Sequence, residues 1–362
     1  MVDSSKDADD AGRSPEGAHP ERARPDAIRA WVRSGRTLVD PLRAGVRLDL
    51  FLARRFTYRS RTQWGRIIRE GRVTVNHGRV RPSRVLRAGD SIEYVPLSRP
   101  EPPIDREIAI LHADADLVAV AKSGNLPLHP SGRYFRHTLL HLLQSERPEW
   151  ERLRVIHRLD RETSGVVVFG LSRAAAARVA RQFHDRKVEK RYLALVWGEP
   201  AEERFTIDLP LGRARESLIR KAVGVREDGI PARTEVRLLH RGDGWAWVEA
   251  RPLTGRLHQI RVHLKAAGLP IMGDKVYGPS ERLFLKFVAG EAFTASEQAA
   301  LGMERQALHA YRLRIAHPRT GEACVFTAPL PRDLCAALAA RGLDPARALP
   351  PEDEPPTAAP LA

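Results

Sequence analysis

The apolar positions divide the chain into two regimes. From Arg47 to Val95 they are sparse and change rhythm every few residues. Leu48, Phe51 and Leu52 fall on one face of a short helix, and Ser60 can cap a second, Arg61 to Glu70, ended by Gly71. Val73-Thr74-Val75 reads as a strand running into a hairpin turn at Asn76-His77-Gly78, and Ala88-Gly89-Asp90 leads into a last strand, Ser91 to Val95. From Ile108 onward the pattern is that of a mixed α/β domain. Leu117 to Lys122 is a buried strand ending in a charge, Ser172 caps an Ala/Arg helix to about Lys187, and Arg191 to Trp197 is a strand. Glu235 to Leu239 and Trp245 to Arg251 form a hairpin across His240 to Gly244. Thr254-Gly255 opens a helix from Arg256 to Ala267, with Leu257, Ile260, Leu264 and Ala267 on one face and Gly268 ending it.

Polar and buried patterns meet most abruptly at Val155 to Phe169. Val155 to Leu159 reads as a short strand, Arg161 to Gly165 as a tight turn, and Val166 to Phe169 as an interior strand. Strand alternation points Arg158 and Asp160 the same way. On spacing alone an ordinary surface ion pair is the favoured reading, and a prepared site is its rival.

Composition narrows the field. The chain has 362 residues, 43% of them hydrophobic, enough for two domains, or three if one is small, and too many apolar groups for global disorder. Lys plus Arg is 60 against 45 acids, a formal charge of +15, which points to a polyanion such as nucleic acid. A membrane surface is disfavoured, because no long apolar run or basic amphipathic helix with aromatic anchors occurs. Only two cysteines occur, Cys324 and Cys335, so neither a disulfide framework nor a cysteine metal site is expected. The first residues carry no apolar core like that of a secretory signal, so a cytoplasmic protein is expected. Residues 1–40 read as a disordered arm, with a short helix near Ala27 to Val32, and 346–362 as a disordered tail. Arg47 to Arg87 holds twelve arginines, no lysine and only Asp49 and Glu70 as acids. That density favours an RNA-phosphate surface over a merely solvated one.

Four stretches bring polar groups against buried elements: Lys122 to His129, His157 to Gly165, Arg191-Tyr192, and Gly255 to His263. The last interrupts a helix face with Arg, His and Gln, and a long arginine there can hold a buried carboxylate ionised. Other chemistries fit less well. His184-Asp185 reads as solvated surface, and His258 and His263 are five apart rather than the four that suits two metal ligands on one helix face. Neither a phosphate-binding Gly-rich loop nor a zinc-deaminase pattern occurs.

Two resemblances organise these residues. Arg47 to Leu52, Arg66 to Gly78 and Val85 to Asp90 resemble the alpha-L RNA-binding domain first described in ribosomal protein S-four. Residues from Ile108 to Pro331 resemble the RluA-type pseudouridine synthases. The likeness runs through His157-Arg158-Leu159-Asp160-Arg161-Glu162-Thr163-Ser164-Gly165, Lys190 to Gly198, Thr254 to His263, Gly268 to Asp274, Tyr277-Gly278, Arg305 to Ala310 and Ala328 to Pro331, in family order. The fold implied is α+β: a mixed, mostly antiparallel-sheet catalytic domain over 105–335, preceded by a small α/β RNA-binding domain over 45–97. The reaction implied is isomerisation of uridine by base flipping, glycosidic cleavage and re-joining at C5, without cofactor or metal. Asp160 is then the catalytic carboxylate, Tyr192 packs on the flipped uracil, Arg261 pairs with Asp160, and Arg158 fills the gap the base leaves. His157, Arg54, Arg55, Arg66, Arg69, Arg72, Lys122 and His129 are the further RNA-binding candidates. The order of domains matches the branch acting on large-subunit ribosomal RNA, and a monomer is expected. The sequence departs from the family at Ser123, where proline is common, and at His137, where asparagine is common. Residues 280–303 form an insertion longer than the shortest members carry.

Overall fold

The structure, a computed structural model, describes residues 36–350 apart from 57–59, 96–100, 132–133 and 220. It divides into two compact units at Pro100/Glu101. Most of the expected N-terminal arm, with its short helix, and of the C-terminal tail lies outside the described residues.

In the first unit the strand β1 (Arg36–Leu38) precedes two helices, α1 (Leu48–Arg55) and α2 (Arg61–Arg69). The strands β2 (Val73–Val75), β3 (Gly78–Arg79) and β4 (Ser91–Tyr94) complete a sheet ordered β1-β4-β2-β3. The expected arm therefore ends earlier than residue 40, because β1 pairs with β4 and Val39 enters the core. Ser60 caps α2 through a full capping box, its hydroxyl accepting from the Gln63 N–H while the Gln63 side chain accepts from the Ser60 N–H. Asn76 and His77 both take positive φ, 50° and 66°, which turns β2 back into β3. Asp49, nearly buried, is held by Arg47 and Arg61 at 3.0 and 3.1 Å.

The second unit is built on one ten-stranded sheet. Its elements begin with β5 (Ile108–Ala113), β6 (Leu117–Lys122), α3 (Leu139–Glu146), β7 (Arg154–Val155), β8 (Ser164–Gly170), α4 (Arg173–His184) and β9 (Glu189–Trp197). Then follow β10 (Arg204–Asp208), a small hairpin of β11 (Leu211–Arg213) and β12 (Val223–Val225), β13 (Arg233–Arg241), β14 (Trp245–Pro252) and α5 (Gln259–Ala266). The insertion supplies α6 (Glu281–Ala289) and α7 (Ala295–Leu301), and β15 (Leu308–Ala316), β16 (Ala323–Thr327) and α8 (Arg332–Ala339) follow. The sheet runs β10-β13-β14-β9-β15-β8-β6-β5, with β16 on β15 and β7 on β8. Among the described residues only the short β8–β15 pairing is parallel, so the sheet is mostly antiparallel.

Every residue of β8 is buried, because both faces of the sheet are covered there. Val167 and Phe169 join a core with Leu139, Leu142 and Leu143 of α3, whereas Val166 and Val168 join one with Val179 of α4. Strand alternation feeds two cores from one continuous apolar run. Beyond it, Leu193, Leu195, Trp247 and Val248 form the largest core with Ile260 and Leu264 of α5. The expected tail also begins packed, since Ala348 is buried and its carbonyl accepts from the Trp247 indole N–H at 2.7 Å.

Candidate active site

The loop between β7 and β8 carries Arg158 and Asp160 into a cleft of about 360 Å³, whose lining includes Tyr192, Lys190, Thr254, His258 and Arg261. The strand expected over 155–159 stops at Val155, so alternation does not set the directions of Arg158 and Asp160. The remainder of the motif anchors this loop. The Thr163 hydroxyl accepts from the Gln306 amide, Ser164 Oγ lies 2.9 Å from His309 Nδ1, and the Arg305 guanidinium donates to the Glu162 carbonyl at 2.9 Å. Gly165 has φ +113°, and a Cβ there would fall 2.2 Å from the Ala310 carbonyl oxygen. Only glycine permits that approach. Thus Arg305 to Ala310 forms the bed on which Thr163-Ser164-Gly165 rests.

Arg261 arrives from α5, a helix buried at every position from Gln259 to Leu264. It differs from the helix expected over 256–267. His258 takes left-handed φ 54° and the helix begins only after it, leaving Leu257 and Ala267 exposed. The cause is Gln259, whose buried amide donates to the Arg233 carbonyl and Thr234 Oγ1 and accepts from Thr254 Oγ1 and the Arg256 N–H. Its full hydrogen-bonding capacity fixes the turn before the helix. Ile260 and Leu264 pack on the sheet, while Val262 meets Tyr277 and Leu211 in a separate cluster.

The electrostatic centre is an arginine between two carboxylates. Arg261 Nη1 donates to Asp160 Oδ2 at 2.7 Å, and its Nε and Nη2 donate to Asp274 at 2.6 and 2.8 Å. Asp274 is 1% exposed and also accepts from the N–H groups of Val276 and Tyr277. Burial pushes the Asp160 carboxyl up, but the Arg261 guanidinium outweighs it and holds it below its usual range. Burial and the Asp160 charge push the Tyr192 phenol up to about 12, so it stays protonated at neutral pH. Burial lowers the Lys190 ammonium to about 8, and its Nζ donates to the Thr254 carbonyl at 3.0 Å.

Asp160, Tyr192, Arg261, Arg158 and His157 therefore meet at one cleft. Three RNA-binding candidates need correction. Lys122 is 2% exposed and spends its ammonium on the Ser123 and Arg161 carbonyls at 2.8 and 3.0 Å, which makes it a brace beneath the Asp160 loop rather than a phosphate contact. His157 accepts the Val168 N–H at 3.1 Å on Nε2 and stacks on Phe183, while burial lowers it to about 4. It is a neutral buttress. Arg72 is directed inward, donating to the Val95 carbonyl at 3.0 Å and packing over Tyr94. By contrast Arg54, Arg55, Arg66 and Arg69 are exposed on α1 and α2, Arg66 pairing with Glu70 at 2.9 Å. His129 is exposed but does not line the cleft. The sequence does not single out Asp274 and His258 as site residues. The signal for Asp274 is an acid inside the Gly268 to Asp274 stretch, but its arginine partner is visible only in three dimensions.

Comparison with known proteins shows the family. Residues 116–266 match the family described as RNA pseudouridylate synthase, and residues 46–92 match the S4 domain. An RNA pseudouridine synthase of Chlorobaculum parvum is 34% identical over 82% of this chain and 94% of its own length. The ribosomal large subunit pseudouridine synthase C of Haemophilus ducreyi is 33% identical over 82% of this chain and 92% of its own. Human RNA pseudouridylate synthase domain containing 1 superposes with a TM-score of 0.52 at 30% identity, covering 66% of this chain and 90% of that one. The two family matches define the class, an isomerase that acts on RNA. The chain belongs to the RluA family of pseudouridine synthases.

Proposed function

We propose that this pseudouridine synthase acts on uridines of large-subunit ribosomal RNA, with Asp160 as the catalytic carboxylate. The observation that carries the reading is the array in which buried Asp274 and Arg261 hold Asp160 at the cleft that Tyr192 lines. An acid that must act as nucleophile or base has to be ionised, and a guanidinium on one oxygen achieves that while leaving the other free. The Tyr192 ring offers the flipped uracil an aromatic surface. Exposed Arg158 at the mouth offsets part of the few kcal/mol lost when a base leaves its stack. Relatives named for the ribosomal large subunit support the choice of RNA. We assign the RNA-binding domain to 45–97 and the catalytic domain to 105–335, and expect a cytoplasmic monomer. Among the described residues no helix is long and apolar enough to cross a membrane.

The test is tritium release from C5-labelled uridine RNA by the wild type and Asp160→Asn. The variant should bind RNA as the wild type does and release no label. Retained release by Asp160→Asn would remove Asp160 from the chemistry.

A further inference from the structure

His258 is held in a strained backbone conformation and its ring stands between two fixed partners. Left-handed φ at a non-glycine residue is unfavourable and persists only where the surroundings impose it. Here the Gln259 amide imposes it, with the His258 carbonyl accepting the Val262 N–H at 3.0 Å. On one side His258 Nδ1 lies 2.7 Å from the Tyr277 hydroxyl, and on the other Nε2 lies 3.7 Å from Asp160 Oδ1. The ring lines the 360 Å³ cleft and also a smaller recess of about 260 Å³ on which Asp160 and Arg261 border.

The Tyr277 hydroxyl bears on where the imidazole proton sits. It accepts the Val223 N–H at 3.0 Å, a backbone group that can only donate. Its own proton is available to His258 Nδ1, and with Nδ1 as the acceptor the ring proton lies on Nε2. Tyr277 is 4% exposed, and its own N–H donates to Asp274 Oδ1 at 3.0 Å. The two oxygens of Asp160 are thus served by two arms with a common root in Asp274. Arg261 grips Oδ2 directly, and His258, in contact with Tyr277, stands 3.7 Å from Oδ1.

Resting on the reading of Asp160 as the catalytic carboxylate, we propose that His258 is a positioning residue whose Nε2–H tautomer, fixed by Tyr277, orients the reactive Oδ1 of Asp160. The separation of 3.7 Å suits that task. A full hydrogen bond of about 2.8 Å would stabilise the resting carboxylate and weaken it as a base or nucleophile. A donor one step further out sets the direction of the carboxylate and leaves the Oδ1 lone pairs open to uridine. Burial and the Arg261 charge also lower the His258 pKa, so the ring carries one proton rather than two.

The test combines a spectrum with kinetics on the full chain. Long-range ¹H–¹⁵N spectra, with the His258 signals assigned by their loss in His258→Gln, should show the Nε2–H tautomer in the wild type. Tyr277→Phe should shift them towards Nδ1–H. In single-turnover tritium release, His258→Leu should lower the rate constant by at least about tenfold with unchanged RNA affinity, and His258→Gln, which keeps an N–H donor, should restore part of it. An Nδ1–H tautomer in the wild type would overturn the proposal, as would an unchanged rate for folded His258→Leu. Asp160→Asn, run alongside, separates the two claims. If it is inactive while His258→Leu is not, only the role of His258 falls; if it is active, the reading of Asp160 falls first.

Discussion

Replacing Arg261 by methionine removes the cation that bridges Asp160 and Asp274 while keeping most of the side chain's apolar volume. With charge centres about 4 Å apart and an effective dielectric constant of about 20, each contact is an attraction of about 4 kcal/mol. For Asp160 that attraction favours the ionised form. Without Arg261 the effect of burial, which raises the carboxyl, loses its main opponent. The acid limb of the pH–rate profile should therefore move upward. Turnover at pH 7 should fall steeply and recover in part towards pH 9. Arg261→Lys keeps the charge but loses the two-pronged grip on Asp274 seen at 2.6 and 2.8 Å, so an intermediate profile is expected. Stability should drop by about 3–5 kcal/mol in the methionine variant, because Asp274 is left buried without its partner. Tritium release between pH 5 and 9, beside urea unfolding of the same samples, measures both effects. Folded Arg261→Met with the wild-type acid limb would refute the reasoning, since something other than Arg261 would then keep Asp160 ionised.

Three further outcomes follow from other parts of the structure. Gly165→Ala should cost at least about 3 kcal/mol, because its Cβ meets the Ala310 backbone at positive φ, whereas Gly268→Ala, at φ +75° with open space around it, should cost about 1 kcal/mol by urea unfolding. His309 is 1% exposed and burial lowers it from 6.5 to about 4, so between these values the unfolded chain binds the proton more tightly. Stability should be lost as pH falls from 6.5 through 4, by about 3 kcal/mol from this residue, and His309→Asn should flatten that part of the unfolding profile. Exchanging Arg54, Arg55, Arg66 and Arg69 for glutamine should weaken RNA binding and flatten its salt dependence by up to about 0.7 for each phosphate no longer neutralised. An unchanged slope in filter binding at 50–200 mM salt would remove these arginines from the RNA surface.

The sequence by itself determined the elements with strong local causes. The capping box at Ser60, the turn at Asn76-His77 and the apolar run of β8 are decided by neighbouring residues, and each is legible from spacing and residue type. The resemblance likewise brings Asp160, Tyr192 and Arg261 together from three separated motifs. What it cannot supply is the destination of each polar side chain. Lys122 and Arg158 look alike as basic residues beside buried strands, yet one is walled in by two backbone carbonyls and the other lies at the cleft mouth. The start of α5 is hidden for a similar reason. The apolar spacing of Leu257, Ile260 and Leu264 suits a helix, whereas the Gln259 amide that sets its start donates to Arg233 and Thr234 of β13, more than twenty residues away. The second carboxylate, Asp274, and the His258–Tyr277 contact belong to the same class. Periodicity and caps report forces between neighbours in the chain. The ionisation of Asp160 and the tautomer of His258 depend on burial and on partners brought in by other elements, and only the tertiary structure sets those.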